Sequence, residues 1–205
     1  MHNLTRFRKS LVKVLLIGVV ILSACSSQSP LVRSTFISTI PAKVAPISSV
    51  IPTPITIPAW FNIKMTNVLT GQTFSISDFT GKVVLLETMA EWCGTCAEQQ
   101  YEVKKLEGLT GNSKDLILIS LDTDPNEDAA SLKKYAAAYG LDWYFAISPL
   151  EVDRALGNLY DVEFMNPPLA PMLFIDRRGK VYGLPFGQIK GATSLQLTLA
   201  PYLAQ

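Results

Sequence analysis

The middle of the chain alternates two hydrophobic patterns. Short continuous apolar runs, of the kind found in strands buried on both faces, stand at 83–87, 116–121, 143–147 and 172–175. Between them lie longer segments in which apolar and charged residues mix at helical spacing. These predict helices over 97–108, ending at Gly108; from Asp124-Pro125 through Leu132 and Tyr135 to Tyr139, ending at Gly140; and over 150–159. Stretches at 63–68 and 73–76 flank a Thr70-Gly71 turn and predict an opening β-hairpin. Asp176-Arg177-Arg178-Gly179 predicts a second hairpin turn between 172–175 and 180–186. A helix over 195–203 closes the chain, its end distorted by Pro201. Strand–helix alternation between two hairpins implies an α/β fold, a mixed central sheet with helices on both faces.

Ahead of this region the pattern changes twice. Arg6, Arg8, Lys9 and Lys13 precede an apolar run at 14–22 and the small-residue sequence Leu22-Ser23-Ala24-Cys25. That order is the one found in a secretory signal. The apolar run is shorter than the roughly 20 residues a bilayer-spanning helix needs. Residues 26–59 are rich in Ser, Thr and Pro, a composition that favours extended conformations over a packed core, and read as a tether. The expected organisation is a signal peptide at 1–25, a tether at 26–59 and one domain at 60–205.

Charge sharpens this division. The chain has 205 residues, 48 % hydrophobic and 17 % charged, with a net charge of +1. No Asp or Glu precedes Asp78, and from Trp60 onward twelve Lys and Arg face seventeen Asp and Glu, a net of −5. The domain is mildly acidic, and neither a basic stripe nor an aromatic platform argues for nucleic-acid binding.

The candidate chemistry lies where the first buried strand meets the first helix. Cys93 and Cys96 sit three residues apart there, a spacing that lets one disulfide close across the first helical turn. At a helix N-terminus, unpaired N–H groups and the helix dipole stabilise a thiolate, which makes Cys93 the nucleophile and Cys96, a turn further in and more buried, the resolving thiol. Glu91 beside them opposes thiolate formation. Glu87, at the end of an apolar strand, gains a raised pKa from desolvation, which suits a general base near neutrality. The Asp122, Asp124, Glu127, Asp128 group lacks the regular ligand loop of a calcium hand and reads as a solvated helix start, so no metal site is expected.

The segment Ala90-Glu91-Trp92-Cys93-Gly94-Thr95-Cys96 resembles the active site of thioredoxins. Together with the leader and the extra residues before the final hairpin, it resembles the TlpA/ResA-type membrane-anchored oxidoreductases of the redoxin/AhpC-TSA-like group. The resemblance implies a thioredoxin-like fold with an N-terminal hairpin and an inserted helix–strand segment. It also implies a proton relay from Glu87 to Cys96, and no cofactor beyond the disulfide. Ala170-Pro171 resembles the cis-proline segment of thioredoxins, which implies a cis bond that offers the Ala170 N–H and C=O to a substrate strand. Trp92, Gly94 and Thr95 complete the implied partner surface. The Lys that thioredoxins carry on the next central strand has no counterpart at 116–121, and the position three after the second Cys is Gln99, next to Glu98.

Leu22-Ser23-Ala24-Cys25 resembles a bacterial lipobox, implying lipidation of Cys25 and location outside the cytoplasm, on a membrane. Implied partners are the thiols and disulfides of exported proteins, such as apocytochromes c, and a membrane thiol-electron carrier. Two other activities are weighed. A peroxiredoxin-like thiol peroxidase needs a Pro/Thr surround that Cys93 lacks. A copper(I)-binding assembly factor needs ligands beyond two thiols, and the only histidine is His2, inside the leader.

Overall fold

A computed structural model describes residues 56–204. The expected signal peptide, Cys25 and most of the expected tether lie outside these residues. Strands β1 (Met65–Thr66) and β2 (Thr73–Phe74) form a short antiparallel hairpin. A five-stranded sheet follows in the order β5-β4-β3-β6-β7, built from β3 (Val83–Met89), β4 (Leu116–Asp122), β5 (Tyr144–Ile147), β6 (Met172–Ile175) and β7 (Val181–Gly183). The first three run parallel; β6 pairs antiparallel with β3, and β7 with β6. This is the mixed α/β arrangement expected from the strand–helix alternation.

The four helices are α1 (Gly94–Leu109), α2 (Ala129–Tyr139), α3 (Leu150–Leu159) and α4 (Ala192–Leu203). β3 is buried along its whole length and feeds two cores. Val83, Leu85 and Met89 pack with residues of α1, α2 and α4. Val84 and Leu86 face the other way, toward Trp60, Phe61, Phe74 and residues of α3. Glu87 shares the parity of the first group, which aims a carboxylate into the α1 side of the sheet.

Several boundaries differ from the sequence reading. α2 starts at Ala129, with Asp128 as its N-cap accepting the N–H groups of Ala130 and Ser131, and not at Asp124-Pro125. Two side-chain–backbone bonds to the first-turn amides fix Asp128 as the boundary. Gly140 ends that helix as expected, in the left-handed conformation at φ 63°. α4 begins three residues earlier than the apolar pattern suggests, at Ala192. Its N-cap, Gly191, offers no side chain, and Glu102 of α1 accepts the Ala192 N–H instead. Two 3₁₀ turns, Val162–Met165 and Pro167–Leu169, were not foreseen.

Candidate active site

The peptide leaving β3 turns at Ala90 to Trp92 and enters α1 at Cys93, which caps the helix. Cys93 and Cys96 form a disulfide with a Cα–Cα separation of 5.2 Å. The Cys96 N–H points at the Cys93 sulfur, 3.1 Å away. A first-turn amide aimed at that sulfur, with the positive end of the helix dipole behind it, favours a thiolate there after reduction. The two cysteine residues are not separated by exposure as the sequence suggests: Cys93 is 3 % and Cys96 2 % accessible. Their difference lies in surroundings. Cys96 Sγ lies 3.4 Å from the Pro167 carbonyl oxygen, a contact that becomes a thiol hydrogen bond once Cys96 carries a proton.

Trp92 and Gly94 form the exposed edge of the pair, and Thr95 is half-buried. The Trp92 indole N–H donates to Asp124 Oδ2 at 2.6 Å, fixing the ring to the loop that follows β4. Asp124 is thereby a partner of Trp92, while Asp122 is buried and so departs from the expected solvated helix start.

Glu87 is buried and accepts the Ser120 hydroxyl at 2.6 Å, and that hydroxyl in turn accepts the Trp143 indole N–H at 2.8 Å. Register explains the meeting, since Glu87 pairs directly with Ser120 across β3 and β4. Burial pushes the Glu87 carboxyl up to about 7, against the opposing pull of Ser120, the Gln100 amide and the Lys190 charge. A group so placed exchanges a proton near neutral pH.

Lys190 is the counter-charge that the sequence reading did not supply. It comes from the loop before α4 and is 7 % exposed, and burial pushes its pKa down to about 8 while Glu87 pulls the other way. Gln99 holds it in place: the Gln99 amide donates to the Lys190 carbonyl at 3.0 Å and accepts the Lys190 N–H at 2.7 Å. On the same helix Gln100 accepts the Tyr135 hydroxyl at 2.6 Å. The paired glutamines were visible in the sequence as two uncharged polar residues inside an otherwise charged helix, but nothing tied them to a lysine 91 residues away.

The Ala170-Pro171 expectation needs correction. No peptide bond among the described residues is cis. Ala170 ends the Pro167–Leu169 turn in the left-handed region, at φ 48° and ψ 57°, and its N–H donates to Pro167 O at 2.8 Å. Its carbonyl accepts the Lys190 ammonium. Both backbone groups are therefore engaged within the chain and neither is offered to a substrate strand. The 3₁₀ turn carries prolines at its first two positions, where no amide donor is needed, and it sets the Pro167 carbonyl against Cys96 Sγ. Pro171 is buried, and its carbonyl accepts the Thr88 N–H at 3.3 Å.

Comparison with known proteins agrees with this geometry. The sequence model of the Redoxin family matches residues 56–191. Among solved structures, a thiol:disulfide interchange protein of the thioredoxin family from Chlorobium tepidum superposes with a TM-score of 0.55 at 18 % identity, covering 69 % of this chain and 92 % of its own. A secreted Mycobacterium tuberculosis disulfide oxidoreductase, homologous to E. coli DsbE, gives 0.54 at 15 %, over 69 % and 96 %. The thioredoxin domain of a thiol-disulfide oxidoreductase from Bacteroides vulgatus gives 0.52 at 21 %, over 69 % and 92 %. At these identities the likeness is one of fold.

Proposed function

Because the chain belongs to the Redoxin family, we propose that it works outside the cytoplasm as a membrane-tethered enzyme that reduces or exchanges disulfides in exported proteins. It is a thiol–disulfide oxidoreductase, and the observation that carries this is the Cys93–Cys96 disulfide at the N-terminus of α1. In the reduced enzyme the Cys93 thiolate attacks a partner disulfide, forming a mixed disulfide and expelling one partner thiolate. Cys96 then loses its proton and attacks Cys93 Sγ, which closes the intramolecular disulfide and releases the second partner thiol. The partner gains two electrons and two protons, and the enzyme's dithiol is oxidised. Glu87 is the proton acceptor for Cys96, and Lys190 sets its charge. The partner meets Cys93 along the exposed Trp92–Gly94 edge.

The leader supports the tethered location through the lipobox-like Cys25, and the secreted M. tuberculosis relative of fold points the same way. A membrane thiol-electron carrier restores the dithiol, and apocytochromes c are candidate substrates.

The test is capture. Cys96→Ser protein mixed with an extracytoplasmic extract accumulates mixed disulfides on Cys93 that dithiothreitol releases, and Cys93→Ser captures none. No adduct on Cys93, together with no reduction or oxidation of a model disulfide by the wild type, overturns the reading. Location is tested separately: acyl labelling and membrane recovery of the full chain are lost in Cys25→Ser.

A further inference from the structure

Three carboxyl groups from separate segments converge at the segment that leads into the redox pair, and none of them is the proton acceptor proposed for the exchange. Asp122 ends β4, Glu91 stands just before Trp92, and Glu127 lies in the loop leading to α2. Each offers one oxygen to a common space, the three lying within 4.8 Å of one another. Asp122 is 1 % exposed. Its Oδ1 accepts the Asp124 N–H at 3.0 Å, but its Oδ2 is buried without a hydrogen-bond partner. Glu91 Oε1 is buried and unpartnered in the same way. Glu127 accepts the Glu91 N–H with both oxygens, at 2.8 and 3.0 Å, which holds the segments together but supplies no donor to the two orphan oxygens. None of the four ion pairs among the described residues involves these carboxyls. Buried carboxyl groups are ordinarily hydrogen-bonded, protonated, paired with a cation or bound to a metal.

We propose that Glu91, Asp122 and Glu127 form a binding site for a hard divalent cation, calcium in preference to magnesium, at the rim of the redox site. The donor set is all carboxylate oxygen, which suits calcium or magnesium and not the softer metals that take thiolate or imidazole. Three oxygens within 4.8 Å of one another all lie within about 2.8 Å of a common centre, so a small inward shift reaches the roughly 2.3–2.6 Å of calcium, while magnesium, at about 2.0–2.1 Å, requires a larger one. A bound ion ties the loop after β3, which carries Trp92 and leads into Cys93, to the end of β4. The site thus stands at the C-terminal ends of the parallel strands, where open α/β sheets place ligands.

Calorimetric titration of the full-length oxidised protein with calcium chloride, and separately with magnesium chloride, tests this. One calcium equivalent is expected, with a dissociation constant of about 10⁻⁴–10⁻³ M, the range of extracellular calcium modules, and weaker magnesium binding. Glu91→Gln and Glu127→Gln each weaken calcium by about tenfold or more, while Glu98→Gln, on the exposed face of α1, leaves it unchanged. At a hundred dissociation constants calcium raises the folded-to-unfolded ratio about 100-fold, read as a higher unfolding midpoint. If Glu127→Gln does not fold, Glu91→Gln carries the test, because Glu127 holds the Glu91 N–H while Glu91 Oε1 has no partner to lose. Absence of stoichiometric binding up to about 20 mM of either ion overturns the site. So does binding that both variants leave intact, or carboxyl NMR signals that show Asp122 and Glu127 sharing a proton and do not respond to calcium.

Discussion

At the residue scale the proposed proton transfer turns on two buried ionisable groups of opposite charge, Glu87 and Lys190. Glu87 is pushed from 4.5 to about 7 by burial. Its folded-state pKa lies above the unfolded one, so the native protein binds more protons than the unfolded chain between about pH 4.5 and 7. Stability therefore falls as pH rises through that window, and the burial penalty is complete above it. Glu87→Gln removes the penalty. Relative to the wild type, the variant gains about 3 kcal/mol between pH 4 and pH 8, measured by urea unfolding at the two pH values. It also flattens the pH dependence of mixed-disulfide resolution near 7, read by single-turnover release of a labelled partner thiol. Ser120→Ala leaves both the Glu87 carboxyl and the Trp143 indole without their shared hydroxyl. It costs about 1–3 kcal/mol and moves the Glu87 titration upward, which carboxyl NMR detects.

At the scale of elements, α1 does more than present the cysteines. Its N-terminus holds Cys93, its buried face carries Gln99 and Gln100, and its Glu102 caps α4. One helix thus fixes the thiols and the loop that delivers Lys190. Gln99→Ala strips the Lys190 backbone of both buried partners and is expected to cost about 2 kcal/mol in chemical denaturation. Releasing Lys190 at the same time raises the Glu87 pKa further. α2 depends on its own cap: Asp128→Ala loses two side-chain–backbone bonds and about 1 kcal/mol, measured by thermal unfolding. These interactions show why the helix boundaries were only partly legible. Gly140 announced the end of α2 because a left-handed terminus favours glycine. The α4 start was hidden because its cap comes from a residue ninety positions earlier.

At the scale of the whole molecule, β3 sits at the centre of the five-stranded sheet and divides the domain into two cores, each needing its own alternate residues of the strand. Leu86 is fully buried in the second core, away from the redox pair. Leu86→Ala is expected to cost about 2–5 kcal/mol by guanidinium unfolding while the disulfide still forms and exchanges with a model substrate. The sequence by itself determined the strand–helix alternation, the order of elements, the Cys93–Cys96 pair and the burial of Glu87. All of these follow from local periodicity, short spacing and the cost of burying charge. Only the tertiary structure decided what surrounds the pair. Lys190 and Ser120 reach Glu87 through loop placement and strand register, and Pro167 rather than Pro171 meets Cys96 because a 3₁₀ turn intervenes. Glu91 joins Asp122 and Glu127 because parallel strands bring their C-terminal ends together. Contacts between residues dozens of positions apart depend on how the sheet and helices pack, and no local pattern encodes them.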